Sequence, residues 1–213
     1  KITPKGVYFS SHLDGSLHFL SPEKSIKIQQ NLGSDIMMVL DECPDSKCSK
    51  QYAAQSLELT LRWAKRSKKQ YQKQTNNKQA LFGIVQGALY SDLRQSSAQS
   101  LIDIGFDGYA IGGLAVGESS SEMYQVLSYT TPILPPNQPR YLMGVGTPEN
   151  ISHAIDYGVD MFDCVMPTRN ARHGYLYTSK GIIRIKQAQY QRDFSPLDSK
   201  CLCSTCQNYS RAY

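Results

Sequence analysis

No apolar run in the sequence approaches the ~20 residues that a membrane-spanning helix needs, and the opening segment, Lys1 to Gly6, lacks the charged and then apolar layout of a secretory leader. A membrane span and an export signal are therefore not expected, and a cytoplasmic location is. No internal repeat or low-complexity tract occurs, so neither a repeat array nor a disordered chain is indicated. No G-x-G-x-x-G follows the first strand, which removes the usual mark of a dinucleotide crevice. The six cysteines lack the even spread of a disulfide framework: Cys43 and Cys48 lie early, Cys164 stands alone, and Cys201, Cys203 and Cys206 fall within six positions. Such a cluster in a cytoplasmic chain points to a metal, read here as zinc.

What is present suits an ordinary globular domain: 213 residues, 40% hydrophobic and 19% charged, enough to bury a core. The first residue is Lys, and the last four, Ser210 to Tyr213, carry no terminating Gly or Pro, so both ends are expected to be cut. The net charge of +5 conceals a segregation. Lys50 to Lys78 sums to +7 and the stretch from Val165 onward to +6, while the remainder sums to −8. Two basic zones on a partly acidic body can follow a polyanion; the first can equally be the solvated face of a basic helix.

Along the chain, Val7-Tyr8-Phe9-Ser10 and Leu17-His18-Phe19-Leu20 flank Asp14-Gly15 and predict a hairpin. Ser21 as N-cap, Pro22 at the first helical position and Gly33 as stop predict a helix after it. Nearly continuous apolar runs at 35–40, 80–85, 108–112, 141–145 and 161–165 read as parallel strands covered on both faces, with helices opened by Ser91 and by Thr147-Pro148 between them. Polar or glycine residues gather where each strand finishes: Asp41, Gln86, Gly112 with Gly113, Gly144 with Gly146, and Asp163. Five such ends aimed at one place favour a (β/α) barrel, whose chemistry sits on the C-terminal rim, over an open sheet. After Pro167 the texture changes. Tyr175-Leu176-Tyr177 and Ile182-Ile183-Arg184-Ile185 around Ser179-Lys180-Gly181 read as a second hairpin leading to the cysteines; its first strand is also a candidate to close the barrel. The expected division is a partial barrel over 1–174 and a hairpin with a partial zinc-binding subdomain over 175–213.

Three groupings carry chemistry. Cys201, Cys203 and Cys206 offer three thiolates to one tetrahedral metal, which demands a fourth ligand from elsewhere. Asp163 lies in a greasy strand, where a carboxylate is costly to bury unless partnered or functional, and Arg169 and Arg172 follow it as candidates to hold phosphates or to set its environment. Asp41 can accept two parallel hydrogen bonds from the ring N–H and exocyclic amine of guanine, while Gln86 and the backbone N–H groups at Gly112 and Gly113 can donate to its carbonyl. Each residue alone could equally be a satisfied polar group at a strand end.

Taken in order, Asp41-Glu42-Cys43, Phe82 to Gly87, Gly105 to Glu118, Arg140 to Gly146, Met161 to Arg172 and the three clustered cysteines resemble the queuine tRNA-ribosyltransferase family, also called tRNA-guanine transglycosylases. The resemblance runs from end to end. It implies an irregular α/β (β/α)8 TIM-like barrel, incomplete in this chain, with an inserted zinc-binding subdomain that helps grip tRNA, usually in a homodimer. It implies Asp163 as the nucleophile on the ribose, with Asp41, Gln86, Gly113 and Leu114 as base-recognition positions and Met143 lining the base pocket. Cys43 and Leu114-Ala115-Val116-Gly117-Glu118 are similar to the bacterial type. Those members replace guanine at the anticodon wobble position by 7-aminomethyl-7-deazaguanine in queuosine biosynthesis.

Two features of the family are missing: an Asp-Ser-Gly-Gly-Phe-Gln motif holding the general acid/base, and a histidine after the cysteines that serves as the fourth zinc ligand. The loop after Cys43 is also shorter than the usual bacterial form. The chain by itself is accordingly expected to be inactive. Two other readings stand beside the enzyme: a non-catalytic tRNA-binding partner of the same fold, and a barrel enzyme acting on free nucleosides.

Overall fold

A computed structural model describes residues 1–74 and 78–213. They form two compact units, Lys1–Asp163 and Cys164–Tyr213, which part ahead of the boundary at 174 read from the sequence. Among the described residues no helix is long and apolar enough to cross a membrane.

The first unit opens with strands β1 (Ile2–Thr3), β2 (Gly6–Ser10) and β3 (Leu17–Leu20), an antiparallel meander in which Val7 faces Leu20 and Ser10 faces Leu17. Helix α1 (Pro22–Leu32) follows as its caps dictate: Ser21 Oγ accepts from the Lys24 N–H at 3.2 Å, and Gly33 closes the helix in the left-handed conformation. Strand β4 (Ile36–Met38) leads to α2 (Lys50–Tyr71), whose inner face carries Ala53, Leu57, Thr60, Trp63, Ala64 and Ser67. Their spacing of three and four residues makes one buried stripe.

Next come β5 (Ala80–Val85), α3 (Ser91–Ile104), β6 (Gly108–Ile111), α4 (Ser120–Thr130), a short 3-10 turn at Thr131–Ile133, β7 (Arg140–Leu142), α5 (Pro148–Asp156) and β8 (Met161–Phe162). The five strands β4 to β8 pair in parallel and in chain order. Strands β5 and β6 are enclosed almost throughout, with Leu81, Phe82, Ile84, Val85, Tyr109, Ala110 and Ile111 in the core. Both faces must therefore be covered, as a parallel sheet requires. Strand and helix alternate as in an incomplete (β/α) barrel.

The strands are shorter than their apolar runs. Asp41 and Asp163 lie beyond the ends of β4 and β8, so the rim begins sooner than hydrophobicity alone indicates. The residue preceding α3 is Tyr90, with no side-chain cap; Ser91, expected as the cap, is already helical.

In the second unit, α6 (Met166–Arg172) was not anticipated, although Pro167 suits the first turn of a helix. It packs on β9 (Tyr175–Thr178), which pairs with β10 (Gly181–Arg184) alone among the described residues. The second hairpin thus stands as expected. A 3-10 turn (Ala188–Tyr190) and α7 (Ser204–Asn208) complete the unit.

The opening meander is tied to α2 at one point. Trp63 Nε1 and Arg66 Nη1 both donate to the Pro4 carbonyl, and Arg66 grips Glu23 of α1 with two hydrogen bonds of 2.7 and 2.8 Å. Those bonds hold the Glu23 carboxyl at about 2 against an ordinary 4.5. A depressed carboxylate stabilises the fold above its unfolded value and loses that contribution as pH falls through the folded one. With the pair's side chains 34% and 39% exposed, solvent screening keeps the effect modest. Glu23→Gln is expected to lower the unfolding free energy at pH 7 by at most about 1 kcal/mol. The difference should narrow as pH drops from 4.5 toward 2. Denaturant titrations across that range check it, and a deficit independent of pH would acquit the ion pair.

Candidate functional site

The C-terminal strand ends converge on one cavity of about 370 Å³ in the first unit. Its walls include Asp41 and Cys43 after β4, Gln86 after β5, Gly112, Gly113 and Leu114 after β6, Met143 after β7, and Asp163 after β8. These residues of the first unit, picked out singly in the sequence, are thus brought together. Gly144, one of the strand-end glycines read from the sequence, lines the space too, as do Ala115, Val116 and Tyr141, which were not singled out for it.

Asp41 and Gln86 form one side. Gln86 Nε2 donates to Asp41 Oδ2 at 2.7 Å. Burial pushes the Asp41 carboxyl above the usual aspartate value, and the Gln86 bond partly opposes it. The other amide atom, Gln86 Oε1, is buried without a partner among the described residues, a state that costs about 1–3 kcal/mol unless something compensates. Burial likewise raises the Cys43 thiol, with the neighbouring Asp41 charge adding to it, while Gln86 and the Gly113 backbone N–H pull the other way. The Gly113 N–H therefore faces the cavity side.

Only glycine fits the floor. A Cβ on Gly112 would stand 2.6 Å from Ile84 Cγ2 and 2.8 Å from Gln86 Nε2; one on Gly113 would stand 2.4 Å from Gln86 Oε1, and Gly113 has φ +64°.

Asp163 forms the opposite side. Its Oδ1 accepts 2.6 Å from the Tyr141 hydroxyl and 2.8 Å from the Gly144 N–H. The expectation of a carboxylate buried in a greasy strand is overturned. Asp163 is exposed at the rim, because β8 ends at Phe162 and the chain turns away before the side chain can be enclosed. Two donors engage it, and it makes no ion pair among the described residues. The Tyr141 hydroxyl is in turn pushed far up, by burial first and then by the Asp163 carboxylate it donates to, so it remains a proton-bearing donor. Tyr141 escaped sequence reading because in an apolar strand it looks like core.

The Gly112 N–H, expected as a second donor, is instead committed to the Val85 carbonyl at 3.0 Å, because the strand ladder runs one residue beyond β6, so the floor offers the Gly113 N–H. With an acceptor edge at Asp41, that donor and the Asp163 carboxylate around it, the cavity can seat a planar heterocycle with adjacent N–H groups. Asp163 offers a ring seated there the carboxylate oxygen that Tyr141 and Gly144 do not engage.

In the second unit, Cys201, Cys203 and Cys206 place their sulfurs within 4.8 Å of one another. Two thiolates on one tetrahedral zinc stand roughly 3.8 Å apart, given Zn–S bonds of about 2.3 Å, so three thiolates here need only close slightly to hold such an ion. Among the described residues no fourth donor joins them. Asp198, the nearby carboxylate, is committed to Ser179 and the Lys200 N–H. Arg169 and Arg172 lie exposed on α6. The first basic zone is partly structural: Arg66 serves the meander clamp, Lys50 pairs with Asp92, and Lys68 lies over the rings of Tyr71 and Phe106. Arg62, Lys65 and Lys69 remain exposed on α2.

The family model described as Queuine tRNA-ribosyltransferase matches residues 1–213. The chain is 57% identical over 213 residues to the queuine tRNA-ribosyltransferase of Halothermothrix orenii, covering all of this chain and 56% of that relative. It is 55% identical to the protein of that name from Actinobacillus pleuropneumoniae serotype 3, again over 56% of the relative's length, and 57% identical to that of Hamiltonella defensa over 57%. The chain thus spans a little over half the length of these curated relatives.

Gly113→Ala is expected to destabilise the protein by about 1–3 kcal/mol through left-handed strain alone, and to push the Gln86 amide off Asp41. Chemical denaturation together with a structure of the variant checks both; wild-type stability with Gln86 undisturbed would mean that the floor is not as tight as the distances imply.

Proposed function

Because the chain belongs to the queuine tRNA-ribosyltransferase family, we propose that its cavity is the base-exchange site of a tRNA-guanine transglycosylase. That enzyme exchanges guanine at the anticodon wobble position for 7-aminomethyl-7-deazaguanine in queuosine biosynthesis. The observation that carries the reading is the placement of two carboxylates of different environment on opposite sides of one ring-sized cavity: Asp41 half-buried and bonded to Gln86, Asp163 exposed and anchored by one oxygen.

In this reading Asp41, as carboxylate, accepts from the guanine ring N–H and exocyclic amine. Gln86 and the Gly113 and Leu114 N–H groups meet the guanine carbonyl, and Met143 lies against the ring. Tyr141 and Gly144 occupy Asp163 Oδ1, which leaves Oδ2 free to attack the ribose anomeric carbon. The Oδ2–C1′ bond forms as the C1′–N9 bond breaks, and guanine leaves with the electron pair and is then protonated. The incoming base gives up the proton of its ring N–H, attacks C1′ through that nitrogen and returns the electron pair to the carboxylate; one proton is gained by guanine and one lost by its replacement, and two inversions give net retention. The target nucleotide must be flipped out of its loop to reach the cavity.

Arg169, Arg172 and the exposed lysines and arginine of α2 are assigned to phosphates, and Cys201, Cys203 and Cys206 to a zinc ion. Such an ion, when bound, braces its segment and supplies no step of the exchange. A homodimer of the full-length protein belongs to the same reading.

Asp163→Asn in the full-length protein should abolish incorporation of labelled guanine into tRNA and the denaturant-stable protein–RNA adduct, while leaving tRNA affinity within about threefold, since phosphate contacts carry it. Adduct formation by the variant at the wild-type level would end the enzymatic reading and favour a binding-only partner. Guanine affinity should also decline on acidification through the Asp41 pKa, which lies above the ordinary 3.8; protonation removes one of the two acceptors the base requires. Affinity that stays flat across this range would exclude Asp41 as the acceptor. Atomic absorption should find one zinc per chain, lost in Cys203→Ser.

A further inference from the structure

Arg94, at the start of α3, is the one arginine completely enclosed in the first unit among the described residues, and it makes no ion pair. Its guanidinium donates only to carbonyls: Nε to Ala88 at 2.8 Å, Nη1 to Val85 at 2.9 Å and to Gly112 at 2.7 Å, and Nη2 to Gly113 at 3.3 Å. Burial brings it down to about 10, so it still carries its charge at neutral pH. An enclosed cation without a counter-ion is expensive. Four carbonyls held at once call for the forked set of five N–H donors that only a guanidinium carries.

We propose that Arg94 is a positioning residue for base recognition, setting the direction and strength of the backbone donors on the cavity floor. This deepens the base-exchange reading and rests on it. In a trans peptide the carbonyl and the following N–H point in opposite directions. Pinning the Gly112 and Gly113 carbonyls on Arg94, behind the floor, therefore turns the Gly113 and Leu114 N–H groups the other way, toward the cavity both residues line. The orientation of the first agrees with its influence on the Cys43 thiol across the same space.

The charge does more than hold. A cation on a carbonyl oxygen draws electrons through the amide of the same peptide unit and makes its N–H a stronger donor, by the polarisation that strengthens hydrogen-bond chains in low dielectric. Those donors face the carbonyl of the base, where negative charge gathers as the base departs. Arg94 thus acts on the reacting base through two peptide groups without touching it. Glycine at Gly113 on the floor and at Gly87 beside the helix start is what admits it: a Cβ on Gly113 would stand 3.2 Å from Nη2, and one on Gly87 would stand 2.8 Å from the Arg94 backbone nitrogen.

The test compares Arg94→Lys and Arg94→Gln with wild type in the full-length protein, each first shown to be folded by circular dichroism and thermal unfolding. The probes are guanine and 6-thioguanine, which keep the same two donors toward Asp41 while the sulfur is a weak acceptor for the floor. Loss of the oriented, polarised donors should weaken guanine by about ten- to a hundredfold, more in Gln than in Lys, and 6-thioguanine by less than about threefold. The guanine preference of wild type should shrink to match. Equal weakening of both probes, or of neither, overturns the proposal. So does failure of both variants to fold, since Arg94 would then be a determinant of the fold and no more. Failure of the base-exchange reading would look different: wild type would bind guanine no better than its Asp41→Asn variant does.

Discussion

Asp41 follows the first strand of the parallel sheet and Asp163 the last. In a flat sheet four inter-strand spacings of ~4.8 Å would hold these positions roughly 19 Å apart, beyond the reach of any single base. They line one cavity only because the sheet curls, each strand turning on its neighbour in the right-handed sense that side-chain sterics impose. The curl is kept by filling. Large side chains of β5 and β6 occupy both faces, α2 and α3 press on one side, and the short outer strands, three residues in β4 and two in β8, leave little length over which the ends can splay. The spacing of the two carboxylates is in this sense a property of the packed sheet, set by residues far from the rim.

The two carboxylates then diverge through local surroundings. Asp41 sits against Gln86 on the enclosed side and is reluctant to ionise; Asp163 stands at the open side with one oxygen engaged. In the reading we propose, the first recognises the base and the second attacks the ribose. One curved sheet supplies both by placing them at different depths.

Much of this was legible in the order of residues. The caps at Ser21 and Gly33, the Asp14-Gly15 hairpin and the apolar runs all carry local signals that tertiary structure did not override. Polar residues ending those runs were enough to assemble the cavity in thought. What escaped depends on depth and direction. Arg94 lies on a helix among Ser and Gln, where an arginine normally faces water, and nothing local says that two adjacent strand ends will surround it. Tyr141 reads as core until its hydroxyl is seen on Asp163. Ser91 is a good cap by type, yet the turn through Gly87 and the left-handed Ala88 starts the helix one residue early. The apolar neighbours of Asp163 suggested burial, but the strand stops before it.

The tight contacts around Gly112 and Gly113 contrast with Ala115 and Val116, which are exposed at the cavity mouth. Variation, natural or engineered, has latitude on one side alone. Residues at the mouth can be exchanged for larger or smaller ones, while the floor is held by the packed Ile84, Gln86 and Arg94 side chains and, at Gly113, by a left-handed backbone. In the base-exchange reading proposed above, lineages descending from this scaffold would diversify in the substituents they accept and hold fast to the ring edge they read.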